Sequence, residues 1–337
     1  MKRVKLTRIL WIALALAILA MPIAALALHE VRYAALARAI DQSWTPAPVG
    51  EIAFSASVNA IAVTPLSNWR TSGPQFVGEP GVSYLIETDR GRIIFDVGFN
   101  QNGADPSPLE RNMRTLSVTR DRFDAIFISH LHRDHVGGLK WEQQRSFSFG
   151  IRQDPLDSKR IFAPVPMAYP GSRVEVTANP TELMPGIATT GGIARQLAIG
   201  RVEEQALVLN LEGRGLVVIV GCGHQTLPRL LERIRATFRK PIYAIVGDLH
   251  YPIAHGRLFI AGIDAQRRLA SGNGVLNPIT PQTVDKEIRS LRGEVQRVVI
   301  GGHDTGDEAL GAFSSIFGAD FVEARVGETV TFEAQAH

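Results

Sequence analysis

The sequence predicts a mixed α/β protein with a central pair of sheets and helices outside. Three observations lead there. Short apolar runs alternate with amphipathic stretches from Glu51 onward. Two pairs of those runs are joined by glycine-containing turns of hairpin length. Four runs end in histidines or aspartates, three of them directly behind glycine. A length of 337 residues allows one large domain or two ordinary ones. Hydrophobic content of 45% with 20% charged residues excludes a disordered or fibrous chain.

The first 28 residues form a separate object. Lys2, Arg3, Lys5 and Arg8 precede an uncharged run from Ile9 to Leu28. A basic start followed by an apolar run is the pattern of a signal peptide, and Ala25-Leu26-Ala27 fits a cleavage site. The run is also long enough to span a bilayer as an N-terminal membrane anchor, and its length favours the anchor. Basic residues stay inside, so the body is expected to be extracytoplasmic, on the periplasmic or secreted side. The same four cations account for the net charge of +3 and leave the body close to neutral. No clustered basic face remains, so nucleic acid is not an expected partner.

Residues 29–50 read as a connector. Val31 to Ile40 can continue a helix, and Thr45-Pro46-Ala47-Pro48 breaks it. Residues 51–337 are expected to form the catalytic domain. Val82–Thr88 and Arg92–Phe95 predict a hairpin turning at Asp89-Arg90-Gly91. Pro106–Leu116 predicts a helix, and Ala125–Ser129 a buried strand. Ala206–Leu211 and Leu216–Val220 predict a second hairpin. Leu227–Phe238 carries Leu227, Leu230, Leu231, Ile234 and Phe238 at helical spacing. Ile242–Val246 and Val298–Ile300 are further buried strands. Residues 141–204 are rich in Pro and Gly and are expected to carry loops over the site. The single cysteine, Cys222, excludes an internal disulfide and reads as a small packed side chain.

The chemistry centres on His130-Leu131-His132-Arg133-Asp134-His135, directly after the strand Ala125–Ser129. A strand that stops and turns points alternate side chains into one pocket. Imidazole and carboxylate are the ligands that zinc takes. Gly137-Gly138 follow, allowing a tight turn beside the site. A lone histidine is more often a satisfied core residue; three in six positions with an aspartate read as a metal site. Other strand ends offer further ligands: Gly221-Cys222-Gly223-His224, Gly247-Asp248-Leu249-His250 and Gly301-Gly302-His303-Asp304.

These residues resemble the metallo-β-lactamase-fold superfamily. Ser129 to Leu139 carries its H-x-H-x-D-H motif, and Phe95-Asp96-Val97-Gly98 looks like its D-x-G strand end. Within it the chain is most similar to the branch of dihydropteridinyl-methyl-ribofuranosylaminobenzene phosphate synthase-like proteins. That similarity rests on Gly81–Glu87, Met184–Arg195, Glu204–Leu207, Val220–His224 and Ile245–Tyr251.

The resemblance implies a four-layer αββα sandwich with two metals at the sheet edge. By motif order, His130, His132 and His224 hold the first metal, Asp134, His135 and His303 the second, and Asp248 bridges them. The branch has Gly-Gly-Phe-His-Leu where this chain has Gly247-Asp248-Leu249-His250-Tyr251, so either Asp248 or His250 can face the metals. It has His-Cys-Thr-Gly where this chain has His303-Asp304-Thr305-Gly306.

Two such metals activate a shared water as hydroxide and polarise a carbonyl or phosphoryl oxygen. The expected activity is hydrolysis of an ester, amide, lactone or phosphoester in a small-molecule substrate, with Asp134 as the catalytic residue orienting the hydroxide. Zinc, two per chain, is the expected cofactor, because redox members of the superfamily have Glu where this chain has His132; manganese and iron stay open. His250 and Arg195 are candidate substrate contacts. Two other classes remain: a transferase or synthase on a pterin-like phosphate, and a non-catalytic metal-binding or sensor module.

Overall fold

The computed structural model describes residues 2–46, 51–156, 159–253, 257–260 and 262–335. The chain begins with helix α1 (Lys2–Ser43). Six strands follow: β1 (Ala60–Ser67), β2 (Ser83–Thr88), β3 (Gly91–Phe95), β4 (Ala125–Phe127), β5 (Arg160–Ala163) and β6 (Val174–Val176). Helices α2 (Pro108–Thr115) and α3 (Leu139–Gln143) lie between them in sequence.

The second half supplies β7 (Thr181–Met184), β8 (Ile187–Thr189), β9 (Ile193–Leu197), β10 (Gly200–Glu204), β11 (Leu207–Leu211) and β12 (Gly215–Val220). Then come α4 (Leu227–Phe238), β13 (Ile242–Gly247), the short pair β14 (Phe259–Ile260) and β15 (Ile263–Asp264), α5 (Ala265–Ala270) and α6 (Pro281–Arg292). The chain closes with β16 (Val295–Gly301), α7 (Asp307–Phe317), β17 (Phe321–Ala324) and β18 (Val330–Glu333).

Two seven-stranded sheets result, ordered β18-β1-β2-β3-β4-β5-β6 and β17-β16-β13-β12-β11-β8-β7. Period-two alternation explains how they stack. In β12, Val217 and Ile219 face the other sheet and pack with Phe95, Phe127 and Leu209. Leu216, Val218 and Val220 face the opposite way, onto Leu230 and Ile234 of α4, Ile288 of α6 and Phe313 of α7. The outer face of the first sheet is covered likewise: Ile94, Ile126 and Ile161 pack on Leu109 and Met113 of α2 and Trp141 of α3. Both sheets are buried on both faces, which makes the four layers αββα.

Strand direction places the site. β3 and β4 pair in parallel, and so do β12, β13 and β16. Parallel strands bring their C-terminal ends to one edge. Register makes those ends level: Phe95 lies opposite Phe127, and Val220, Gly247 and Ile300 form one row. The residues that follow therefore leave the sheets side by side. Gly247 is required there, since a Cβ on it would sit 1.9 Å from the Val220 carbonyl oxygen.

The expected hairpins, the buried strands and both helices form where the patterns place them. Helix α2 starts behind Ser107, whose hydroxyl accepts from the Glu110 amide while the Glu110 carboxylate accepts from the Ser107 amide. The 141–204 stretch supplies the end of α3 and strands β5 to β10, each three to five residues long, with turns and loops between them.

Helix α1 continues to Ser43, through most of the stretch read as a connector. Its later part docks on the body. Tyr33 and Ile40 are buried, the His29 Nε2 lies 3.0 Å from the Ala198 carbonyl, and Asp41 pairs with Arg229. Ala47 and Pro48 of the expected break lie outside the described residues. Among the described residues, no helix is long and apolar enough to cross a membrane. That finding overturns the membrane-anchor, transmembrane-helix and signal readings of residues 1–28. The later part of α1 carries His29, Glu30, Arg32, Arg38 and Asp41. Glu30 accepts from the Val275 amide, so the helix is tied to the body by polar contacts.

Candidate metal centre

Asp96, at the end of β3, organises the first motif. It has a left-handed backbone (φ 55°) and is fully buried. Its carboxylate accepts from the Ser129 amide at 2.7 Å, the Ser129 hydroxyl at 2.6 Å and His135 Nδ1 at 2.7 Å. That last bond turns His135 Nε2 toward the site, where it lies 3.0 Å from Cys222 Sγ. The Ser129 hydroxyl also lies 2.9 Å from His130 Nδ1, leaving His130 Nε2 free. Orienting one imidazole nitrogen so that the other can ligate is the usual outer support of a metal site. Gly137 (φ 88°) lets the motif turn away, since a Cβ there would sit 1.9 Å from the Ser148 carbonyl oxygen.

Glu204, at the end of β10, organises the second strand end. Its buried carboxylate accepts from the amides of Cys222 (2.9 Å), Gly223 (2.9 Å) and His224 (2.6 Å). Three amides aimed at one carboxylate fix the loop that delivers Cys222 and His224.

The side chains meet in three overlapping groups whose donor atoms lie within 4.8 Å of one another: His130, His132 and His224; Asp134, His135, Cys222 and His303; Cys222, His224, His250 and Asp304. His130, His132 and His224 have ring centroids 4.7 to 4.9 Å apart. His303 Nε2 lies 3.1 Å from an Asp134 carboxylate oxygen.

The structure thus brings together six of the seven expected ligands. Asp248 is buried at the same edge but outside these groups. Its carboxylate accepts from the Asp304 amide at 3.3 Å and the Asn68 side-chain amide at 3.4 Å. His250, with a left-handed backbone (φ 49°), is inside a group, and its Nδ1 lies 3.0 Å from Asp304.

Charge divides the cluster. Burial and neighbouring imidazoles hold His130 and His224 well below the usual histidine range. Burial brings His132 down to about 4. These three are neutral at pH 7, the form that ligates. Burial works against a charge on His303 too, but Asp304 and Asp134 outweigh it and push the group up to about 10. Burial likewise opposes charge on His135, and Asp96 outweighs it. Burial, then Asp304, pushes the Cys222 thiol well up.

The residues fit a bound metal. Among the described residues, His130 Nε2, His224 Nδ1, His250 Nε2 and His303 Nδ1 are buried with no hydrogen-bond partner. Leaving a buried polar atom unpaired costs ~1–3 kcal/mol. His130 Nδ1 is engaged by the Ser129 hydroxyl, so its unpartnered Nε2 is the ring atom left free to ligate.

A cavity of about 240 Å³ opens beside His250, lined by Gly223, Ser271, Asn273, Thr280 and Thr283. Its wall comes largely from residues 249–287 rather than the expected 141–204. Arg195 also borders it, but its terminal nitrogens hold the main chain, at 3.1 Å from the His224 carbonyl and 2.7 Å from that of Gly272.

Glu204 and Asn68 were not singled out as site residues by sequence reasoning, and Cys222 was read as packing. Only Glu204 left a signal, as a carboxylate at a strand end between two apolar runs.

Two facing sheets, helices outside and a His/Asp nest at a shared strand edge define a metal-centre sandwich protein. The chain belongs to the metallo-beta-lactamase superfamily, whose family model matches residues 77–303. It is similar to the 7,8-dihydropterin-6-methyl-4-(beta-D-ribofuranosyl)-aminobenzene-5'-phosphate synthase of Methanocaldococcus jannaschii, at 24% identity over 307 residues, covering 76% of this chain and 91% of that protein. An uncharacterized protein of the same organism is 38% identical over 71 residues, covering 21% of this chain and 25% of that one. Among solved structures, Tm1679, a metal-dependent hydrolase of the beta-lactamase superfamily, superposes with a TM-score of 0.56 at 19% identity, covering 81% of this chain and 99% of that one.

Proposed function

We propose that this protein is a metal-dependent hydrolase that holds two zinc ions and cleaves an ester, amide, lactone or phosphoester bond in a small molecule. The observation that carries this reading is the meeting of three overlapping donor groups at one strand edge, with the buried His130 Nε2 unpartnered. An imidazole-rich set suits zinc ahead of manganese. When bound, the zinc ions would supply Lewis acidity and would lower the pKa of a water. Asp134 would ligate with one carboxylate oxygen and accept a proton from the attacking water with the other. His303 and His135 keep Asp134 ionised: burial opposes its charge, and they outweigh that. The hydroxyl and amide groups around the cavity beside His250 orient a polar substrate.

Metal analysis of protein purified without chelator tests the reading first, with about two zinc per chain expected. A panel of phosphomonoesters, phosphodiesters, lactones, thioesters and β-lactams on zinc-loaded protein tests it next. One zinc or none, or no turnover across the panel, counts against it. The similarity to the M. jannaschii synthase over 91% of that protein supports a second reading, group transfer to or from a pterin-like phosphate. Turnover of such a phosphate only when an acceptor other than water is present would favour it.

A further inference from the structure

We infer that the carboxylate shared between the two metal positions is Asp304, and that Asp248 stands behind it as a positioning residue. The inference rests on the two-metal reading above and concerns which side chain joins the two sites.

The geometry points to Asp304 from both sides. Its Oδ2 lies 2.9 Å from Cys222 Sγ, 3.0 Å from His250 Nδ1 and 3.6 Å from His303 Nε2. The group it forms with Cys222, His224 and His250 overlaps both others: it shares His224 with the three-imidazole set and Cys222 with the Asp134 set. Asp304 therefore lies where the two sets meet. The second oxygen, Oδ1, is engaged by the Gln266 side-chain amide from α5, which turns Oδ2 inward.

Asp248 has the opposite surroundings. One oxygen accepts the backbone amide of Asp304 itself, and the other faces Asn68. That second oxygen is pressed against the end of β16, where a Cβ on Gly301 would come within 2.4 Å of it. The Asp248 bond to the Asp304 amide places the Asp304 backbone, so Asp248 acts through Asp304. His250 Nδ1, 3.0 Å from Asp304 Oδ2, adds a nitrogen next to the shared oxygen.

The test is equilibrium zinc binding to the full chain by competition with a chromophoric chelator, with metal content measured after gel filtration. The variants are Asp304→Asn, Gln266→Ala and Asp248→Asn. Wild type is expected to hold two equivalents. Asp304→Asn should keep one, on His130, His132 and His224, and lose the second affinity by about thirtyfold or more; the retained equivalent reports that the fold persists. Gln266→Ala should weaken the second site about tenfold, as loss of an outer support does. Asp248→Asn should keep both affinities within about threefold. Asp304→Asn binding both equivalents within threefold of wild type overturns the inference and leaves the two-metal reading standing. So does loss of the second equivalent in Asp248→Asn alone. Wild type holding fewer than two overturns both. If Asp304→Asn does not fold, Gln266→Ala decides by the same threefold threshold.

Discussion

Glu204→Ala is the substitution whose cost follows most directly from the geometry. One buried carboxylate accepts three main-chain amides at 2.9, 2.9 and 2.6 Å. Each is charge-assisted, and a buried donor left unpaired costs ~1–3 kcal/mol. The simple total is about 3–9 kcal/mol, again from those per-bond values. Two effects lower it. Burial holds the Glu204 carboxyl above its ordinary range, so the native state already carries a desolvation penalty that the variant escapes. The emptied space can also admit water to the stranded amides. A loss of about 4 kcal/mol is therefore expected.

Glu204→Gln separates charge from shape. Its carbonyl oxygen can keep Cys222 and Gly223, while its amide group opposes the His224 amide, donor against donor, so about 2 kcal/mol is expected. Urea unfolding in chelator measures both values. Because the same loop delivers His224, zinc affinity at the His130, His132 and His224 set should fall at least tenfold, by the usual effect of removing an outer support. Unfolding within 1 kcal/mol of wild type for Glu204→Ala, together with unchanged zinc affinity, would refute the reasoning.

Three further outcomes are expected. Asp134→Ala should abolish turnover of whichever panel substrate the wild type cleaves, while the His130, His132 and His224 set still takes up zinc; unchanged steady-state rates would remove Asp134 from the mechanism. Chelator should lower the melting temperature by about 8 °C, since two sites each saturated at a hundred times Kd add ~2.7 kcal/mol apiece; calorimetry with and without chelator reads this, and coincident melts would count against bound metal. Glu79 gives a pH dependence. Burial raises its carboxyl above 4.5, against bonds from the amides of Phe99 and Asn100 and the Ser67 hydroxyl. A raised folded value means the native state binds the proton more tightly than the unfolded chain. Its stability contribution is therefore fully present below 4.5 and is lost as pH rises through the folded value. In chelator, the difference in unfolding free energy between wild type and Glu79→Gln should shift in the variant's favour from pH 4.5 to 7. A flat difference would show that Glu79 does not titrate as described.

Legibility differed between fold and site. The hairpins Val82–Phe95 and Ala206–Val220, the helix Leu227–Phe238 and the strands entering the site all announced themselves by local pattern. Periodicity is a property of neighbours in sequence, and each of these elements buries a face that its own residues define. The H-x-H-x-D-H cluster was legible for the same reason: its ligands lie within six positions. The 141–204 stretch was harder, because strands of three to five residues interrupted by Pro and Gly look like loop until a sheet pairs them. The first 28 residues misled in the other direction, since an apolar run reads alike whether or not it enters a membrane.

By itself, the sequence determined the α/β class, the four strand ends that carry ligands and the chemistry of those ligands, because all of these are written in adjacent residues. Only the tertiary structure separated the surroundings of the two candidate carboxylates. Asp248 and Asp304 both follow glycine-flanked strand ends, and nothing local separates them. Their difference arises from partners far away in sequence: Asn68 and the end of β16 enclose one, while Gln266, His250 and Cys222 surround the other. The same holds for Glu204, whose role appears only once β10 is laid beside the loop after β12. Long-range contacts set the direction of a side chain, and direction decides whether a carboxylate ligates or supports.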